Sequence, residues 1–94
     1  DIALLKVEGE LDWDARPTFR QAVTNLLAGG RRKLVIDLSK IRRMSSVYIG
    51  TLIDFGSKAA EQEKTLSVIL IPRMAKVANE AGLGKVVSVI SVEA

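Results

Sequence analysis

The sequence predicts an α/β fold: a mostly parallel or mixed four-stranded sheet packed with three α-helices. Three observations carry this reading. Four strand-length apolar runs recur along the chain, stretches of helical periodicity separate them, and 94 residues that are 48% hydrophobic and 27% charged suffice for one core but hardly for two. Strand and helix in strict alternation give parallel crossovers, with residues 1–94 read as one domain.

The first run, "IALLKVEG" from Ile2 to Gly9, closes on a glycine. The first helix follows. Phe19, Ala22, Val23, Leu26 and Leu27 fall at i, i+3, i+4, i+7 and i+8, one helical face. Asp14 is the candidate N-cap, Pro17 is tolerated in the first turn, and Gly29 and Gly30 stop the helix. "KLVIDL", Lys33 to Leu38, is the second strand, and a second helix is expected from near Ser46 to near Gln62. That helix should bury Ile49, Leu52, Ile53, Gly56, Ala59 and Ala60, with the small residues allowing close approach to the sheet. "TLSVILI", Thr65 to Ile71, is the third strand. Pro72 opens a third helix that turns Met74, Val77, Ala78 and Ala81 inward and ends at Gly82. "VVSVISV", Val86 to Val92, completes the sheet. Near-continuous Val, Ile and Leu in these runs predicts strands covered by helices instead of hairpins with one wet face, although the last run also suits an alternating edge strand.

The composition narrows the chemistry. With no cysteine and no histidine, there is no disulfide, thiol nucleophile, imidazole base or zinc site built on those ligands, and no serine has a histidine to activate it. No enzyme activity, cofactor or metal is expected. The charge of +3 is spread among acids, which fits a solvated surface better than a nucleic-acid footprint. No apolar run approaches the ~20 residues of a membrane span, so the chain reads as cytoplasmic. "AGG" and "AGLG" lack the spacing and lysine of a phosphate-binding loop.

The informative stretch is "MSSVYIGTLIDF", Met44 to Phe55. Ser45 and Ser46 stand where a strand has ended and a helix begins. A hydroxyl there can accept a first-turn amide, worth about 1 kcal/mol. The same position suits a phosphoacceptor, because helix N-terminal amides favour an anion and a phosphoryl group brings about −1.5 to −2 charges. Arg42 and Arg43 lie just upstream. Tyr48, Thr51, Phe55 and Lys58 recur at i, i+3, i+7 and i+10, a stripe apart from the core set that holds two of the chain's four aromatic residues. Exposed, this stripe together with Arg42 and Arg43 is a candidate partner-binding face. The alternative is that Tyr48 or Phe55 packs under a neighbouring helix or loop.

"VEGELD" (Val7–Asp12), "LVIDLSKI" (Leu34–Ile41), the serine pair, "IGTL" (Ile49–Leu52) and "AGLGKVV" (Ala81–Val87) resemble, in order and in register, the STAS domain of anti-sigma factor antagonists and sulfate-transporter tails. In the antagonists the second helix opens with Asp-Ser-Ser-Gly, and its first serine is phosphorylated by a partner anti-sigma kinase. The resemblance places Ser46 at that acceptor, with Ser45, Val47 and Tyr48 in place of the aspartate, second serine and glycine. Tyr48 thus brings bulk where a glycine would admit a partner's backbone, and Arg43 stands where the family has an apolar residue. The resemblance implies a non-enzymatic signalling adaptor that binds a serine-kinase-like anti-sigma factor until phosphorylated. The altered motif leaves a second reading: a STAS subunit or regulatory tail of a transporter or sensor assembly, with constitutive binding. Against the family pattern the chain is expected to lack the first strand before Ile2 and the last helix after Val92. An unpaired first strand would favour a homodimer.

Overall fold

In the computed structural model, which describes residues 2–92, four strands stand side by side in chain order: β1 (Ile2–Lys6), β2 (Lys33–Asp37), β3 (Thr65–Leu70) and β4 (Ser88–Ser91). All three pairings are parallel, which resolves the mostly parallel or mixed sheet in favour of a wholly parallel one. The expected missing last helix concerns chain beyond Val92 and lies outside the described residues. Between the strands run α1 (Arg16–Ala28), α2 (Ser46–Glu61) and α3 (Pro72–Glu80), and a single 3₁₀ turn, Leu83–Lys85, leads into β4.

A parallel sheet whose strands follow chain order, joined by right-handed crossovers, receives every helix on the same face. The burial pattern agrees. Leu34 and Ile36 of β2 and Leu66, Val68 and Leu70 of β3 are buried on the helical side, while their neighbours Val35, Asp37, Ser67 and Ile69 are only half-buried. On β1, Ile2 and Leu4 are 54% and 52% exposed. The expectation of strands covered by helices therefore holds for one face only: apolar character in a strand does not reveal how many layers lie over it.

The core joins α1 through Phe19, Val23 and Leu27, α2 through Tyr48, Ile49, Leu52, Phe55 and Ala59, and α3 through Met74, Ala75 and Ala78. Several sequence expectations shift. Val77 is 46% exposed and Ala81 is exposed, because α3 turns Ala75 inward instead. Ile53 is half-buried and Ala60 exposed. The N-cap of α1 is Ala15, not Asp14, and no side chain caps the helix; the Asp12 carboxylate instead accepts the Ala15 amide at 3.0 Å, in the turn that leads into it. At the other end of α1 the Lys64 ammonium donates to the carbonyls of Leu27 and Gly29, closing orphan acceptors. Gly82, at φ 97°, makes the left-handed turn out of α3 that glycine adopts most readily.

Candidate functional site

The C-terminal ends of all four strands, and hence the N-terminal ends of the three helices, gather at one end of the domain. Open α/β sheets present their binding residues from loops at this end.

One loop is built from β2. The Asp37 carboxylate accepts the Ser39 amide at 2.9 Å. Hydrogen bonding from Ser39, through its side chain first and its backbone second, holds this carboxyl below the ordinary aspartate value; Lys6 and Lys40 assist, and desolvation opposes. The Ile41 amide then turns back onto the Leu38 carbonyl at 3.0 Å, with both side chains sunk in the core. That anchorage turns Arg42 and Arg43 out to solvent, where both are exposed. Arg73, at the start of α3, donates its Nη2 to the Arg42 carbonyl at 3.0 Å and ties the loop to the third helix.

The second loop, residues 8–15, is fixed at two points, once to the first loop and once to α2. Leu11 and Met44 form a parallel bridge, and the Tyr48 hydroxyl donates to the Asp12 carbonyl at 2.7 Å. Burial, and secondarily the Asp12 charge, raise the Tyr48 phenol above its ordinary value against the opposing effect of Arg16, so the donor proton stays in place at neutral pH.

At the junction of the two loops α2 begins. Ser45 is its N-cap in an extended conformation, and no side chain caps the first amides. The serine pair therefore does not act through a capping hydroxyl, contrary to one of its two sequence readings. Ser45, Ser46 and Val47 are exposed, the last at 39%. A helix mouth without a cap keeps its partial positive charge available to an anion.

The expected exposed stripe on α2 is corrected by the structure. Tyr48 is 1% exposed and Phe55 2%, and Thr51 is buried with its hydroxyl donating to the Val47 carbonyl at 3.0 Å. The physical reason is α1, which lies against this side of α2. Phe19 meets Tyr48 edge-on, ring centroids 5.2 Å apart at 72°, and the guanidinium of Arg20 stands 5.6 Å from the Phe55 ring. Of the stripe only Lys58 is exposed, its ammonium 5.5 Å from that same ring. Because Tyr48 points inward, its bulk does not stand in front of Ser46, as its replacement of a glycine had suggested.

The exposed aromatic at this end is one that the helical patterning overlooks. Trp13 is 68% exposed, with the Arg16 guanidinium 4.2 Å from its ring centroid. Arg16 Nε is buried without a hydrogen-bond partner, so the ring contact is what the guanidinium gains there. The sequence signal was available: "ELDWDAR" sets the chain's single tryptophan among acids, where no helical or strand period would bury it. Charge at this end is divided. Lys40, Arg42 and Arg43 lie on one loop and Glu8, Glu10, Asp12 and Asp14 on the other, and Glu10, Asp12, Arg43 and Ser45 border one shallow hollow. Among the described residues no group of three acids could hold a metal ion.

Replacing Tyr48 by Phe keeps the ring packing and deletes the bond to Asp12. A stability loss of about 1 kcal/mol is expected, read from a denaturant midpoint. Acrylamide quenching of the single tryptophan should rise as the loop loosens; unchanged quenching with unchanged stability would show that the hydroxyl does not fix this loop.

Residues 2–90 match the family described as Mlab, STAS domain. The structure is similar to the NMR structure of the protein TM1081, with a TM-score of 0.79 and 16% sequence identity over 97% of this chain and 74% of that one, a likeness of fold. No curated protein matches the chain.

Proposed function

The chain belongs to the STAS domain family, and from that premise we propose that it is a non-enzymatic signalling adaptor, similar to anti-sigma factor antagonists, which docks a serine-kinase-like protein partner at the Ser46 end of α2. STAS domains are signalling and regulatory modules that mediate protein–protein contacts, and no helix among the described residues is long and apolar enough to cross a membrane. The observation that carries the proposal is the exposure of Ser46 at an uncapped helix start, between a loop bearing Arg42 and Arg43 and a loop bearing Trp13. Tryptophan and arginine are the residue types that most often anchor protein interfaces. Ser45, Arg42, Arg43 and Val47 complete the docking face, while Tyr48, Thr51 and Phe55 serve it indirectly, by setting α2 against α1.

A phosphoryl group on Ser46 changes this surface more than it changes the fold. The helix mouth accepts the charge. A partner seated over it would have to desolvate that charge or meet it with its own cations. The departures at Ser45 and Val47 from the antagonist motif support a second reading, a constitutively bound subunit or regulatory tail of a transporter or sensor assembly, in which Ser46 is never modified.

The test is a titration of the captured partner against wild type, Ser46→Asp and Ser46→Ala. Ser46→Asp should weaken binding at least tenfold, or about 1.4 kcal/mol, with an unchanged melting curve, while Ser46→Ala should bind like wild type. Equal affinity for all three would eliminate the switch and leave the constitutive reading. Mass spectrometry of the native protein for phosphate on Ser46 or Ser45 distinguishes the two independently.

A further inference from the structure

Trp13 is the most exposed large apolar side chain among the described residues, at 68%, yet the chain on both sides of it is fixed. Leu11 is bridged to Met44, the Asp12 carbonyl accepts the Tyr48 hydroxyl, the Asp12 carboxylate accepts the Ala15 amide, and the Arg16 amide donates back to the Trp13 carbonyl at 3.3 Å. The ring itself is held as well. The Arg16 guanidinium lies over one of its faces, 4.2 Å from the centroid, with a buried Nε that makes no hydrogen bond elsewhere.

A large ring ordered before binding gives up little freedom when it is buried, and that is what makes an interface anchor effective. We infer that Trp13 is the anchor of the docking face: its uncovered face and indole edge enter an apolar slot on the protein partner, and a Lys or Arg of the partner stands opposite Asp14. The inference rests on the docking reading for the Ser46 end and adds to it the chemistry of the partner's surface. A carbonyl in the slot would accept the indole N–H, which can only donate.

Charge selects the occupant. Asp12 and Asp14, both exposed, flank the ring in the chain. Asp12 shares a hollow with Arg43, and Arg16 is engaged with the ring, so Asp14 is the acid assigned to a cation of the partner. On a second copy of this chain the available slot is the apolar groove beside Phe19, lined by Leu5, Leu11 and Ala22, but Glu8 and Glu10 stand there against Lys6 and would face Asp12 and Asp14. Like charges so placed oppose association. An anionic lipid surface would meet the same two carboxylates.

The experiment uses the protein labelled with 5-fluorotryptophan, whose single tryptophan gives one fluorine resonance, titrated with the protein recovered on immobilised wild type. The resonance should shift on binding and lose its sensitivity to solvent isotope. Trp13→Ala should weaken binding at least about thirtyfold, and Trp13→Phe, which keeps a ring, by less. Asp14→Lys should weaken it about two- to fivefold, the effect of a screened surface ion pair. Melting curves should stay close to wild type, because the ring is 68% exposed; a merely structural ring would move them and leave affinity alone. If Trp13→Ala binds like wild type while Ser46→Asp still weakens binding, Trp13 is not the anchor and the docking reading stands. If neither substitution acts, or no partner is recovered, the anchor falls together with the switch at Ser46. A resonance that shifts with the protein's own concentration, or on phosphatidylglycerol vesicles, would overturn the proposal by giving the ring another occupant.

Discussion

Phe19→Ala is expected to lower the unfolding free energy by about 3–5 kcal/mol, about a fifth or more of the roughly 5–14 kcal/mol that a chain of this length possesses. The ring is 4% exposed and is the joint between α1 and α2 through its edge-on contact with Tyr48. Truncation removes the buried ring and the aromatic pair together, the latter worth about 0.5–1.5 kcal/mol beyond area. Little can move in to fill the space. Val23 and Leu27 are fixed to the same helix one and two turns away, and Tyr48 is held by its bond to Asp12. The groove beside Phe19, lined by Leu5, Leu11 and Ala22, would widen into the vacated volume. A urea transition with unchanged slope and a much lower midpoint, or a melting temperature lower by on the order of 15 °C or more, would bear this out. A loss below about 1 kcal/mol would mean that the two helices do not depend on this ring.

A functional corollary follows from the same contact. Tyr48 holds the Asp12 carbonyl and hence the loop that carries Trp13, so loosening Phe19 should disturb the docking end even though Phe19 is remote from solvent. Partner affinity measured well below the melting transition should therefore fall for Phe19→Ala while Ser46 is untouched.

How far the sequence reveals all this depends on what each kind of signal can encode. The element order and most boundaries were readable because they are set locally. The Phe19, Val23, Leu27 spacing has only one helical solution, Pro72 and Gly82 bracket α3, and the runs at Lys33 and Thr65 are too short and too β-branched for anything but strands. What is not local was misread. Tyr48, Thr51 and Phe55 do form a stripe distinct from Ile49, Leu52 and Gly56, but a second stripe on a helix can face water or another helix. The choice falls to α1, which sequence periodicity cannot position. A central helix with neighbours on both sides buries a wider arc than an outer one, and α2 is central here. The open sheet face was hidden for the same reason: Leu4 and Leu5 look equally apolar, and only topology leaves the first 52% exposed while the second packs against the core.

At the proposed docking end the legible residues were those whose position is fixed by a boundary. Ser45 and Ser46 begin a helix, Arg42 and Arg43 precede it, and all four are exposed. Trp13 was missed because it lies in an irregular loop with no period to mark it, and because its significance comes from two tethers, to Met44 and to Tyr48, that span more than thirty residues of chain.

The two glycines of α2 provide the sharpest test of how this helix is seated, since one substitution should act with opposite sign at the two positions. A Cβ built on Gly50 meets nothing within 4 Å, and the residue is exposed. Gly50→Ala should therefore stabilise the protein by about 0.5–1 kcal/mol, by restricting the unfolded chain and improving helix propensity. A Cβ on Gly56 would lie 2.5 Å from Val87 Cγ1, 3.0 Å from the Val86 carbonyl oxygen and 3.1 Å from Val86 Cγ2. Val87 is a buried, β-branched side chain with little rotamer freedom, and the carbonyl belongs to the backbone between the 3₁₀ turn and β4, so neither can yield cheaply. Overpacking of this kind costs about 1–3 kcal/mol, which outweighs the propensity gain and leaves Gly56→Ala net destabilising by about 1–2 kcal/mol. The pair should differ by about 1.5–3 kcal/mol in parallel urea titrations. If both alanines stabilised the protein equally, α2 would have to stand further from the 86–87 segment than the close approach at Gly56 requires. The axis along which Ser46 is presented at the proposed docking end would then be set by something other than this contact.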